Sequence, residues 1–180
     1  MVERVVERGR EPEPKESIYE YMYREWFAER KRYKMEGQVV IKGKDVGWEQ
    51  GRQGLLKYYL HPLKQWEACG TPDWSVFIHR ITKHSGKHRH QGGLGIFVLE
   101  GRGYTVVDGT RYDWEGGDLI LLPVKPEGCE HQHFNLDPDK PSEWMAFIFA
   151  PFNAAMGNDL EQKSESPDWS GGGLDAKHVT

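Results

Sequence analysis

Two cysteines in 180 residues, Cys69 and Cys129, stand without C-x-x-C spacing and are too few for a disulfide framework. The chain is therefore expected in a reducing, cytoplasmic compartment. Long apolar runs are as scarce: the longest are strand-sized, well short of the ~20 residues that a membrane-spanning helix needs. The opening MVERVVERGREPEPKE carries charges where a secretory signal requires an apolar run. A dominant charge is missing too, with 24 Lys plus Arg against 28 Asp plus Glu, a net charge of −4 and both signs interspersed. This pattern offers no basic surface for nucleic acid or membrane partners.

What is present suits one domain with appendages, large enough for a hydrophobic core of its own. Residues 1–50 are read as a charged arm and an amphipathic helix, 51–155 as a barrel, and 156–180 as a flexible tail. Within the first segment, residues 1–14 carry Pro12 and Pro14 and are expected to be mobile. From Lys15 to about Lys34, Ile18, Met22, Trp26 and Phe27, with Tyr19 and Tyr23, recur at helical spacing. The sticky face so formed would pack on the barrel or a second subunit, or close over a pocket as a lid. VVIKG (39–43) and LLKYYLHP (55–62) follow as expected strands, punctuated by Gly51, Gly54 and Pro62.

Helical spacing disappears at Trp74. WSVFIHRIT, GIFVLEG, YTVVDGTRYDW, DLILLP, EHQHFNL and WMAFIFAP succeed one another as short β-rich runs. Asp108-Gly109 between two of them is a type I′ hairpin signal, since both central residues of that turn need positive φ. Closely spaced strands and turns indicate a sandwich or barrel, and a jelly roll is one way to manage exposed sheet edges. The fold class expected is all-β, a jelly-roll (double-stranded β-helix) barrel with an N-terminal helix. After Pro151 the chain turns Asn-, Gly- and Ser-rich, and its last ten residues are expected to be flexible.

Eight histidines are present, and two of them, His88 and His90 in KHRHQGG, are spaced so that a strand turns both rings to one face. Downstream, GGDLILLPVKPEGCEHQHFN supplies a strand, a Pro/Gly turn and His131 on another strand. Three neutral imidazoles could then converge on one ion. His133 shares the face of His131 and would replace it if the register differed. His79 and His84 fit no ligand pattern and are given surface or hydrogen-bonding roles, Cys129 that of a small buried residue, and Glu100 a structural one.

On these residues the chain resembles the cupin superfamily. HRHQGGLGIFVLEGRG follows the first cupin motif, His-x-His, three or four residues, Glu, six residues, Gly. Its glutamate slot falls at Leu94 or Gly95, so the customary fourth ligand is missing. The second motif is met in two pieces, Gly117 to Pro123 and Pro126-x-Gly128 to His131 and Asn135. The two fit together with a three-residue insertion between them; without it, the ligand position would fall on Gly128.

The three-histidine pattern, with FVLEGRGYTVVDG and GGDLILLP, is similar to that of the gentisate- and salicylate-type ring-cleaving dioxygenases, as a single cupin unit. The resemblance implies metal ligands His88, His90 and His131, with Fe(II) as cofactor and Mn, Ni or Zn as alternatives. It implies dioxygen and a small phenolic or enolisable substrate as partners, and C–C cleavage as the reaction. Three imidazoles leave the metal's double positive charge uncancelled, which favours an anionic chelating substrate. Gln91 and His133 are the candidates for proton transfer or for hydrogen bonds around the ligands. Members of that group often carry an arginine near the strand after the histidines, where this chain reads GLGIFVLEG. Trp144, Phe147 and Phe149 lie on the last strand with Trp144 and Phe147 on opposite faces. Alternatives are non-redox lyase, isomerase or decarboxylase chemistry, and a non-catalytic small-molecule-binding cupin. The helix and extra strands favour a homodimer.

Overall fold

Strands form where apolar and polar residues alternate, because alternate side chains leave a sheet on opposite faces. The computed structural model describes residues 17–63 and 69–171. It shows two antiparallel sheets face to face. One has the strand order β1 (Glu49–Gly51), β2 (Gly54–Leu60), β3 (Trp74–Ile81), β10 (Ser142–Phe149), β5 (Leu94–Glu100), β8 (Leu119–Leu122). The other runs β11 (Glu161–Ser164), β4 (Lys87–His90), β9 (Cys129–Asn135), β6 (Arg102–Val107), β7 (Thr110–Glu115). This is the expected jelly roll.

The inner faces hold the core. Ser142, Trp144 and Ala146 of β10 and Leu94, Ile96 and Val98 of β5 point inward, while Phe147, Phe149, Phe97 and Leu99 of the same strands are exposed. Asp108 and Gly109 take φ of 48° and 82° between β6 and β7, the hairpin expected from their identities. Asp108 also ties that hairpin to the start of β9: its Oδ1 accepts the Glu130 N–H at 2.9 Å, and its own N–H donates to the Glu130 carbonyl at 2.8 Å. The hairpin thereby fixes the strand that carries His131.

Two expectations change. The 39–43 run is not a strand; it holds only a Gln38–Cys69 bridge beside it and leads into a 3-10 turn at Gly43–Asp45. Val39 and Val40 are exposed, and without a neighbouring edge their β-propensity has nothing to pair with. The barrel does not end at 155. Ala150–Ala155 forms helix α3, β11 pairs with β4, and Ser166 is buried with its hydroxyl donating to the His84 carbonyl at 3.0 Å. Hydrogen bonds, not apolar burial, order this part of the expected tail.

The N-terminal helix runs from α1 (Ile18–Tyr21) through a π-helical stretch (Met22–Phe27) into α2 (Ala28–Glu36), starting on Ser17, whose hydroxyl accepts the Glu20 N–H at 3.2 Å. Ile18, Tyr19, Tyr23, Trp26 and Phe27 are exposed on it, and Tyr33 is buried. No described helix is long and apolar enough to cross a membrane. The expected mobile arm 1–14 and flexible last residues 172–180 lie outside the described residues.

Candidate metal centre

β4 carries His88 and His90 on one face, and its register against β9 sets His88 directly opposite His131. The consequence is a cluster: ring centroids lie 4.2 Å apart for His88 and His131, 4.8 Å for His90 and His131, and 5.2 Å for His88 and His90. One nitrogen from each ring falls within 4.8 Å of the other two. The loop 123–128 delivers His131 to this place. Lys125 N–H donates to the Gln91 carbonyl and Gly128 N–H to the Lys125 carbonyl, both at 3.0 Å, so that β9 begins at Cys129.

Backbone contacts orient two of the rings. His131 Nδ1 is 3.0 Å from the Cys129 carbonyl, an acceptor, so Nδ1 carries the proton and Nε2 keeps a lone pair. The Gly92 N–H donates to His90 Nδ1 at 2.9 Å. Among the described residues, His88 Nδ1 is buried with no hydrogen-bond partner. The Gly86 backbone nonetheless favours the charged form of this ring; what fits a divalent cation is the donor set itself, three imidazoles with converging nitrogens.

The rings are held neutral. Burial, then the neighbouring His131 and His90, pushes His88 down to about 2, and burial followed by His131 takes His90 to about 4. Burial also lowers His131. Neutral imidazole is the form that binds divalent metals.

The cluster opens into a cavity of about 460 Å³ between the two sheets. Its wall includes Leu56, Phe77, Leu94, Ile96 and Trp144 beside the histidines. Among the described residues that line it there is no carboxylate, lysine or arginine. Leu94 stands where the cupin motif would place its glutamate, and Ile96, 1 % exposed, fills the strand that could have carried an arginine.

His133 also faces the cavity but stands outside the cluster of converging nitrogens: its Nδ1 lies 2.7 Å from Thr105 Oγ1, and burial holds it well below the ordinary histidine range. Gln91 does not line the cavity. Its carboxamide oxygen accepts the Asp159 N–H at 2.7 Å, and its own N–H donates to Asn158 Oδ1 at 3.3 Å, fastening a segment whose Asn158 and Leu160 complete the wall. His79, given a surface or ordinary hydrogen-bonding role, is hydrogen-bonded with the Gln53 backbone; it is 2 % exposed, packs edge-on against Trp144 and also lines the cavity. Ser75, Phe77 and His79 share the inner face of β3, so two-residue periodicity was the signal that could have placed it there. Cys129 is fully buried, and desolvation raises its thiol to about 11. Trp144, 4 % exposed, packs against both His79 and His133, whereas Phe147 lies on the outer face.

Gly103 is required for this arrangement by close approach. A Cβ there would fall inside van der Waals contact of the Phe134 carbonyl oxygen and of the Trp114 ring, which lies over the glycine. Gly103→Ala is expected to displace Trp114 and to lower unfolding stability by about 2 kcal/mol, the scale of core overpacking, as read by denaturant titration.

Residues 78–148 match the cupin domain family. A 5-aminosalicylate 1,2-dioxygenase of Comamonas sp is 29% identical over 118 residues, 63% of this chain and 29% of that protein. A gentisate 1,2-dioxygenase of Streptomyces sp is 33% identical over 93 residues, 47% of this chain and 25% of that protein. The chain thus spans less than a third of the length of these curated relatives. The solved salicylate 1,2-dioxygenase of Pseudoaminobacter salicylatoxidans with gentisate superimposes with a TM-score of 0.50 at 26% identity, over 78% of this chain and 37% of that one. Sequence match, sheet order and the position of the histidines point the same way: residues 78–148 are similar to the cupin domain family, and the chain resembles the ring-cleaving dioxygenases over part of their length.

Proposed function

We propose that His88, His90 and His131 hold one divalent metal, Fe(II) in the active protein, and that the chain cleaves a C–C bond of a small phenolic or enolisable substrate with dioxygen. The observation that carries this reading is a triad of neutral imidazoles at the wall of a cavity whose described lining has no charged side chain. Bound there, ferrous iron would polarise substrate and dioxygen, with positions left open for both. Dioxygen is the oxidant, and both its atoms enter the product, so no further reductant is needed.

The protein residues have separate tasks. The triad contributes no negative charge, so an anionic chelating substrate supplies the compensation, and burying the ion without it would be costly. Leu56, Phe77, Ile96 and Trp144 exclude water and receive the apolar body of that substrate. A second remote carboxylate would find no cation in this described wall. His88, His90 and His131 would hold the metal through one ring nitrogen each, the three nitrogens lying within 4.8 Å of one another. If His90 held the metal through Nε2, its proton would sit on Nδ1, where the Gly92 N–H now donates.

Oxygen uptake by Fe(II)-loaded protein on a panel of phenolic acids and β-diketones tests the reading. Uptake is expected with chelating monoanions and not with dicarboxylates of the same size. Turnover without oxygen by the zinc, manganese or nickel form would instead establish non-redox chemistry, and binding without turnover a non-catalytic cupin.

The exposed aromatic face of the helix and the outer row of Phe97, Leu99, Leu119, Leu121, Phe147 and Phe149 support assembly as a homodimer. Light scattering should give twice the 20.8 kDa chain mass.

A further inference from the structure

Thr105 sits on β6 directly opposite His133 of β9 and is fully buried. Two groups reach its hydroxyl. The Trp114 indole N–H donates to Oγ1 at 2.9 Å, and His133 Nδ1 lies 2.7 Å away on the other side. An indole nitrogen is only ever a donor. It therefore takes an acceptor position on the oxygen and leaves the hydroxyl proton to be placed. Among the described residues His133 Nδ1 is the acceptor within its reach. The opposite arrangement, with Nδ1 protonated, would aim two donors at one oxygen and strand the hydroxyl proton in a dry core.

We propose that Thr105, oriented by Trp114, locks His133 in the tautomer with its proton on Nε2, so that the ring presents a hydrogen-bond donor, not a base, to the cavity. Nδ1 is the atom turned to Thr105, which leaves Nε2 for the side of the ring that lines the cavity. Thr105 is a positioning residue: it touches no ligand and acts through His133. The slot at Gly103 belongs to the same device, because it seats the indole.

The consequence narrows the substrate class, and this part rests on the reading under Proposed function. An Nε2–H donor suits an oxygen that already carries negative charge or a carbonyl, such as an enolate or phenolate oxygen beside the triad. It cannot remove a proton from a neutral hydroxyl. The substrate's proton must therefore leave before binding or to another acceptor.

The test has a readout independent of metal and turnover. Imidazole nitrogen NMR of the metal-free protein is expected to show His133 with a protonated Nε2 and an accepting Nδ1. Thr105→Ser keeps the hydroxyl and should keep this pattern. Thr105→Val and Trp114→Phe, each first shown to be folded by its amide spectrum, should give a mixture of the two tautomers. In zinc-loaded protein, acetylacetone, which chelates as its enolate, should bind roughly tenfold more weakly to Thr105→Val than to wild type, with the serine variant restoring affinity. A protonated Nδ1 in wild type, or an unchanged pattern in both Thr105→Val and Trp114→Phe, would overturn the proposal. The expected tautomer together with no acetylacetone binding to any zinc-loaded form would uphold the lock and count against the metal-centre reading instead.

Discussion

His131→Gln is expected to take metal content from about one equivalent per chain to background, and to abolish metal-dependent stabilisation. A ligand present at a hundred times its dissociation constant stabilises the folded state by about 2.7 kcal/mol, and at a thousand times by about 4.1 kcal/mol. For a domain of this size each kcal/mol shifts the melting temperature by roughly 2–4 °C. Wild type should therefore melt roughly 5–15 °C higher with excess Fe(II), Zn(II) or Mn(II) than with chelator, and His131→Gln at the same temperature in both. Glutamine preserves most of the side-chain volume, so the loss is not a cavity effect. His133→Gln is the matched control. His133 is engaged by Thr105, outside the cluster of converging nitrogens, and its replacement should leave metal uptake intact while depressing turnover. Elemental analysis and scanning calorimetry on both variants decide the matter. Loss of metal from the His133 variant alone would transfer the third ligand to that position.

The two histidines that share β9 show how far the sequence could be read. Alternation puts His131 and His133 on one face, and the motif spacing favoured the first, but only the register of β9 against β4 sets His131 opposite His88. The partner of His133 was not readable, since Thr105 and Trp114 reach it through the pairing of β6 with β9, which is a long-range property. The Asp108-Gly109 turn was legible because positive φ is a local demand. β11 was not: Glu161–Ser164 has no apolar alternation, and the polar chain around it is ordered by bonds such as Gln53 Nε2 to Gln162 Oε1 at 2.8 Å and Thr82 Oγ1 to Asp168 Oδ1 at 2.5 Å. The 39–43 run failed in the opposite direction, with the composition of a strand and no edge to join.

Acid should unfold the metal-free protein well before it unfolds the loaded one. His79, His88 and His90 have folded-state values of about 4, 2 and 4 against an ordinary 6.5, chiefly because burial disfavours the charged ring. The folded chain keeps these rings neutral while the unfolded chain protonates them below about pH 6.5. Unfolding then takes up protons, and stability falls as pH falls. Their contribution is complete above pH 6.5 and is lost as pH drops through about 4, with His88 continuing toward 2. At pH 5 keeping a buried ring neutral costs on the order of 2 kcal/mol, already a large share of what holds an ordinary domain. A metal on the triad competes with protons for the same nitrogens, so excess zinc should move the midpoint of acid unfolding to lower pH and make it depend on zinc concentration. His79→Gln, which removes one buried ring that is not in the triad, should make the metal-free protein less sensitive to pH between 6.5 and 4 while leaving the zinc effect in place. Denaturant titrations at stepped pH, with chelator and with zinc, read both effects. Metal-free protein that holds its stability from pH 7 to pH 4 would mean that these rings find compensating charge in the folded state, and the neutral triad would have to be abandoned.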